Sequence, residues 1–376
     1  MNGIYYYLIA FIIIWVVSAI FHNKLTSYGV EINFPVLMWK TQRLRGFIKR
    51  ISNLSPRFWR WFMNIGIIVA FGAMIFITWT LISTLPSVFE TPSVSIIIPG
   101  VEMPGSAIYV PFVYGLIALA TVLVVHEFSH GIQAIGEKIP IKSIGLLLFA
   151  IIPGAFVEPD EDILKKSKKI SRLRVYAAGS IANISLALIA LLLVSLVSMG
   201  IPSYFDENGI EINRVVENSP SDGILKKGMV IEAIDNKVIN DSKSYTGIVS
   251  SFSPGDNVSV RTDQGTYSVV LDKNPNNDSL GFFGIQAQKH FELINDSLGF
   301  LPWILFEVLE LLQWVSMLNL GIGLFNLLPI KPLDGGYMLE ILLSYKLSES
   351  YYKPIVNALS VVLAMIIVFS IFASFI

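Results

Sequence analysis

Two histidines and a glutamate stand in one short stretch, Val125-His126-Glu127-Phe128-Ser129-His130. Residues four apart share a helix face, so both imidazoles can bind one Zn2+. The intervening Glu127 can then reach a water at the metal and act as general base. The alternative role for these side chains is hydrogen-bonded glue between helices. Ionisable groups at membrane depth are costly, which favours function. A catalytic zinc takes three protein ligands and keeps one position open. The chain has four histidines and no cysteine, so the third ligand is His, Asp or Glu. His22 and His290 read as surface residues. Asp334 is the better candidate, in Asn326-Leu327-Leu328-Pro329-Ile330-Lys331-Pro332-Leu333-Asp334-Gly335-Gly336, where prolines and glycines break an apolar run. Its bland reading is a helix N-cap for 337–343.

The elements that must position these residues are apolar. The 376 residues are 53% hydrophobic and only 15% charged, which points to a chain solvated largely by lipid. Net charge is −1, so the electrostatics imply no nucleic-acid partner. A membrane helix needs about 20 mostly apolar residues. Six stretches are expected to span: Ile4–Phe21, Trp61–Leu85, Ile108–Ile135, Val175–Met199, Leu311–Ile330 and Ile355–Ile376. The first carries no Lys or Arg and reads as an uncleaved span rather than a secretory signal. A shorter run, Ile144–Val157, contains Pro153-Gly154 and is expected to form a re-entrant hairpin.

Basic residues set the orientation. Eight Lys/Arg lie between the first two spans and eight between the third and fourth, whereas 86–107 holds none. Those two basic segments are expected to be cytoplasmic and the N-terminus outside. The stretch 25–60 reads as an interfacial segment, neither span nor domain. Residues 201–296 alternate in polarity and carry turn signals, which predicts strands at Ile210–Val216, Met229–Ile234, Val258–Thr262 and Tyr267–Leu271. Residues 274–279 read as a loop. The expected architecture is a polytopic α-helical membrane protein of about six spans with an inserted α+β domain. Its parts are 1–107 (two helices), 108–200 (first half of the core), 201–292 (outer domain), 293–346 (second half of the core) and 347–376 (last helix).

Together, His126-Glu127-Phe128-Ser129-His130 and 326–336 resemble the site-2 protease family of intramembrane zinc metalloproteases. Gly179-Ser180-Ile181-Ala182-Asn183 resembles the family's Gly-x-x-x-Asn element, and Gly154-Ala155-Phe156-Val157-Glu158-Pro159-Asp160 is similar to archaeal members. The resemblance covers roughly residues 108–336. It implies a multi-pass cell-membrane enzyme, one Zn2+ per chain on His126, His130 and Asp334, and Glu127 as base. It implies that Asn183 and Asn326 are polar groups near the site that hold substrate backbone or an oxyanion, with hydrogen bonding between helices as an equal reading, and that Ile144–Val157 offers a strand edge to an unwound transmembrane substrate. The outer domain resembles a PDZ domain, with 219–231 as its helix–turn–strand and Phe283, Gly284 and Ile285 as a carboxylate-binding loop. Met229 stands where an acid is usual, and size exclusion of bulky substrates is an equal reading of that domain. A membrane zinc carrier and a non-catalytic scaffold are the competing classes. Glu127 separates the first, which needs no base, and metal content the second.

Overall fold

The computed structural model describes residues 4–42, 44–89, 94, 96–103, 106, 108–275, 277–373 and 375. Two compact units emerge. One comprises Met1–Ser195 with Glu307–Ile376, and the other is Leu196–Phe306, inserted within it in sequence. The insert runs past the expected 201–292 at both ends, and beyond its last strand lie short helical turns at Asp296–Leu298 and Leu301–Trp303.

The chain opens with α1 (Ile4–Ile20) and a short α2 (His22–Ser27). Strands β1 (Val30–Asn33) and β2 (Val36–Thr41) follow, then α3 (Arg45–Leu54) and α4 (Pro56–Ser83). Pro56 occupies the first turn of α4, where its missing N–H costs nothing. Next come α5 (Phe112–Gly136), β3 (Ile141–Phe149), β4 (Ile152–Pro159), α6 (Glu161–Lys166) and α7 (Lys169–Gly200).

Residues 25–60 are therefore more than an interfacial segment. They supply two strands to a four-stranded antiparallel sheet of order β1-β2-β3-β4. The run expected to be re-entrant is the β3–β4 hairpin of that sheet, with Phe149 opposite Ile152 at its tip. Trp15 of α1 donates its indole N–H to the Ala150 carbonyl at this tip, 3.1 Å away. Its ring also meets Phe34 edge-on at 4.9 Å.

The inserted unit has β5 (Phe205–Val215), β6 (Val230–Ile234), β7 (Lys237–Val238), α8 (Ser242–Val249), β8 (Asn257–Thr262), β9 (Gly265–Val270), β10 (Asp272–Asn274), β11 (Asn277–Phe282) and β12 (Ile285–Leu293). Its main sheet runs β12-β5-β6-β8-β9 with β7 on β6. Ile212, Ile231, Val260, Val269 and Phe283 close its core. Alternating burial along β8 is the cause of the period-two pattern in its sequence. Two of the six residues expected to form a loop at 274–279 lie outside strands or the described set. The others belong to the β10–β11 hairpin. Asp241 and Ser244 form a capping box on α8, a helix that the strand pattern concealed.

The chain then re-enters the first unit through α9 (Ile304–Phe325), α10 (Asp334–Ser344) and α11 (Glu349–Ala373). The fifth expected span starts earlier and stops earlier than its apolar run. Glu307 and Glu310 had masked the start, and Glu307 is hydrogen-bonded to Tyr114 of α5. The break comes before Leu328-Pro329, because a residue preceding proline is driven out of the helical region.

By length and composition α4, α5, α7, α9 and α11, with short flanking turns, can each cross a membrane. With 17 residues, α1 is at the lower limit. The buried core joins α4, α7 and α10 through Met63, Ile67, Ala70, Ala177, Ala178 and Met338. Small residues on α7 permit this close approach. Arg174 of α7 pairs with Glu137, just past α5, at 2.9 Å, and Arg60 of α4 approaches the same carboxylate at 3.5 Å. That shared acid pins three helices at one end.

Candidate metal centre

On α5, His126 and His130 share one face and are each 9% exposed. Their Nε2 atoms lie 3.1 Å apart. Asp334, some 200 residues later, brings Oδ2 to 3.3 Å from His126 Nε2 and 3.4 Å from His130 Nε2. A tetrahedral ion bonded at about 2.0 Å holds its ligands about 3.3 Å apart. The triangle of donors has that size. Among the described residues this is the group of acids and histidines placed to hold a metal ion.

Local chemistry delivers Asp334 to this point. Leu333 takes the N-cap position of α10 and Asp334 is its first helical residue, so the carboxylate is not the helix cap. Gly335 and Gly336 let the loop fold onto itself. A Cβ on Gly335 would lie 2.1 Å from the Leu327 carbonyl oxygen, and one on Gly336 2.6 Å from that of Ile330. Gly335 N–H donates to the Asn326 carbonyl at 2.9 Å and closes the loop. Ser180 Oγ, from α7, donates to Asp334 Oδ2 at 3.4 Å.

Room for an ion comes from α7. A Cβ built on Gly179 would sit 2.4 Å from His130 Nε2 and 2.6 Å from His126 Nε2. The glycine thus leaves open a space in front of both nitrogens. Donor type, donor spacing and this cradle all fit a zinc ion. His130 Nδ1 lies 2.7 Å from the Val175 carbonyl oxygen. A carbonyl only accepts, so Nδ1 carries the proton and Nε2 presents its lone pair.

Glu127 and Asn326 border a cavity of about 330 Å3 together with the three candidate ligands. Glu127 Oε2 accepts a hydrogen bond from Val157 N–H at 3.0 Å. Val157 lies on β4, the edge of its sheet. Because Val157 points its N–H away from β3, strand alternation points those of 153, 155 and 159 the same way. Pro153 and Pro159 have no N–H. Ala155 and Val157 are therefore the outward donors of this edge. A second, apolar hollow of about 440 Å3 lies along α5 and the sheet, bordered by Leu123, Val124 and Ala155. Following β4 from Ala155 to Val157 leads from this hollow to the polar cavity.

The two asparagines expected beside the site part company. Asn326 borders the cavity. Asn183 is fully buried beside His126, with an amide atom 3.3 Å from Nδ1. That place suits an outer partner of a ligand rather than a group that touches substrate. The pattern Gly-x-x-x-Asn held the signal, since residues 179 and 183 share a helix face. His22 is exposed on α2, and His290 sits in the inserted unit 3.9 Å from Glu211 and from Glu292. Of the residues expected to hold a peptide end, Phe283 is buried in the core of the inserted unit. The Gly284 carbonyl accepts from Val216 N–H at 2.8 Å and from the Ser219 hydroxyl at 3.2 Å. Ile285 begins the edge strand β12.

Comparison with known proteins bears on this centre. An uncharacterized protein of Methanocaldococcus jannaschii is 29% identical over 231 residues, covering 60% of this chain and 56% of that protein. A membrane-bound transcription factor site-2 protease homolog of Arabidopsis thaliana is 32% identical over 123 residues, covering 32% and 24%. The probable chloroplastic membrane metalloprotease ARASP2 of the same plant is 26% identical over 286 residues, covering 58% and 64%. The matches span less than two thirds of each of these three relatives. The solved PDZ domain of an SdrC-like protein from Listeria innocua shares 24% identity, with 22% of this chain and 97% of that one covered and a TM-score of 0.21. The model of peptidase family M50 matches residues 114–367, a stretch that begins on α5 just ahead of the His-Glu-x-x-His segment, contains Asp334 and closes within α11. With more than half of its length and all of its candidate metal ligands inside that match, the chain belongs to peptidase family M50, the site-2 protease family of membrane metalloproteases.

Proposed function

We propose that this chain is an intramembrane zinc endopeptidase that hydrolyses peptide bonds in or beside the transmembrane segments of other membrane proteins. The carrying observation is the convergence of His126 Nε2, His130 Nε2 and Asp334 Oδ2 within 3.4 Å of one another, with Glu127 at the same cavity. Zinc held by His126, His130 and Asp334 would supply a Lewis acid and a nucleophilic water near neutral pH. Glu127, at the same cavity, would hold the proton given up there and pass it to the leaving amine. Asn326, on the cavity wall, offers an amide donor to the oxygen on which charge develops. The N-terminus and the PDZ-like insert face outside, and the metal lies toward the cytoplasmic side, His126 being about 15 Å from the helix end at Gly136.

Substrate must unwind before it is cut, since a helix hides its peptide groups. The β4 edge suits the unwound strand, with the apolar hollow beside it for side chains still in lipid. With the Val157 N–H already given to Glu127, Ala155→Pro removes the outward donor left for a docking strand and leaves the metal ligands untouched. We expect kcat/KM on a single-span model substrate to fall about tenfold with zinc content unchanged, since a lost docking bond weakens binding by roughly this factor. Wild-type kinetics in this variant would exclude edge docking.

The test of the main reading is a cleavage assay on detergent-purified protein with single-span model substrates. Roughly one zinc per chain is expected, with cleavage lost on chelation, restored by zinc, and cuts mapped within or next to the span. Cuts confined to exposed loops would point instead to an ordinary membrane-anchored peptidase. Zinc-free protein would favour a scaffold.

A further inference from the structure

We infer that Asn183 is a positioning residue. Its carboxamide oxygen accepts the Nδ1 proton of His126 and so fixes the tautomer that presents Nε2 to the metal. The inference rests on the zinc reading above.

The two ligand histidines need the same protonation pattern, with the proton on Nδ1 and the lone pair on Nε2. For His130 a backbone carbonyl imposes it, that of Val175 at 2.7 Å. No such carbonyl is paired with His126 among the described residues. The group found there is the side chain of Asn183, 3.3 Å from Nδ1 and wholly buried.

An amide has two ends, and their assignment follows from the hydrogen bonds they can make. With nitrogen toward His126, the amide oxygen is buried without a partner. That orientation also makes Asn183 a donor, so Nδ1 would be bare and the proton would sit on Nε2. Nε2 is the atom that faces His130 and Asp334. The reversed orientation turns the NH2 group to that unpartnered side, while its oxygen accepts the Nδ1 proton and Nε2 is free for the metal, so the ligand role of His126 decides between the two. It also accounts for a full-length polar side chain at a position where α7 otherwise carries small residues such as Ala178, Gly179 and Ser180.

The neighbours hold the amide in place. A Cβ on Gly323 of α9 would lie 3.2 Å from Asn183 Cβ, so the two helices meet closely at this point. Partners of this kind typically change metal affinity about 10- to 100-fold when removed.

The test is zinc affinity, read by competition with a chromophoric chelator, for Asn183→Leu and Asn183→Asp. The leucine fills similar volume and cannot accept a proton, so zinc should bind about 10- to 100-fold more weakly. The aspartate accepts and cannot donate, so its affinity should stay within about threefold of wild type. The Co2+-substituted proteins give a second readout, with the ligand-field spectrum shifted in the leucine variant and restored in the aspartate variant. Loss of affinity in Asn183→Asp, or wild-type affinity in Asn183→Leu, overturns the inference. Should the leucine variant fail to fold, the aspartate variant decides alone. Wild-type protein that binds no zinc would instead sink the proposed function itself.

Discussion

Glu127→Gln should reduce cleavage by about a hundredfold to ten-thousandfold, the usual contribution of a general base, while about one zinc per chain is retained. The substitution changes charge and not shape. Glutamine keeps an oxygen that can accept the Val157 N–H, so the contact between α5 and β4 persists. The three nitrogen and oxygen donors of the metal site are not altered. What disappears is the ability to take a proton from water and return it to the amine. Zinc content by elemental analysis and turnover of a single-span substrate should therefore separate cleanly. A variant that cleaves at the wild-type rate would remove Glu127 from the chemistry. It would also restore the carrier reading, in which these ligands move zinc and no base is needed. Loss of zinc together with activity would place Glu127 in the ligand set instead.

Gly179→Ala should fail at the step before chemistry, by losing the metal. Its methyl group would lie 2.4 Å from His130 Nε2 and 2.6 Å from His126 Nε2, distances that real Cβ atoms essentially never show. Relief requires one imidazole to turn, but His130 is held at Nδ1 by the Val175 carbonyl. The adjoining Arg174 is in turn tied to Glu137. Zinc affinity should fall at least about a hundredfold, as expected when a ligand leaves a three-ligand site, and activity should fall with it. Gly321→Ala on α9 is the matched control, because nothing lies within 4 Å of the added methyl group. Replacing an exposed mid-helix glycine stabilises a helix by about 0.5–1 kcal/mol, so zinc and activity should be unaffected there. Wild-type zinc affinity in Gly179→Ala would mean that the metal does not occupy the space between these two nitrogens.

The contrast between the two variants comes from how the site is built. Glu127 lies beside the ligand pair on α5 and works on the proton. Gly179 lies across from it on α7 and works by being absent. One variant should keep zinc without catalysis, and the other should have neither.

Several features escaped a reading along the chain for one reason, that their meaning depends on distant partners. Strands β1 and β2 are four and six residues long and sit amid basic and aromatic residues, so no clean alternation marks them. The far partner of β2 is β3, about a hundred residues downstream, where Leu37 pairs with Leu148, and β1 reaches the sheet only through β2. The start of α9 was hidden by Glu307, an acid that is tolerable in an apolar helix because Tyr114 of α5 bonds to it. Asn183 is legible in the sequence as a polar group near the site, but its pairing with His126 depends on how α7 packs against α5. The helix α8 is only eight residues long within a stretch of strands, and a short helix carries little periodicity.

By itself the sequence determined the features that local geometry dictates. Apolar runs long enough to cross a bilayer became helices, and a spacing of four put two imidazoles on one face of α5, because 3.6 residues make a turn. Period-two alternation did the same for β8. The sequence named Asp334 as the third candidate ligand, but tertiary structure alone decided the distance at which it meets the two imidazoles, that Gly179 leaves the space open, and that Glu127 meets the edge of β4. Those contacts join residues from about 30 to 200 positions apart. The physical reason is that intervening chain closes such distances through packing of whole helices and strands, and no short-range spacing encodes where those elements finally touch.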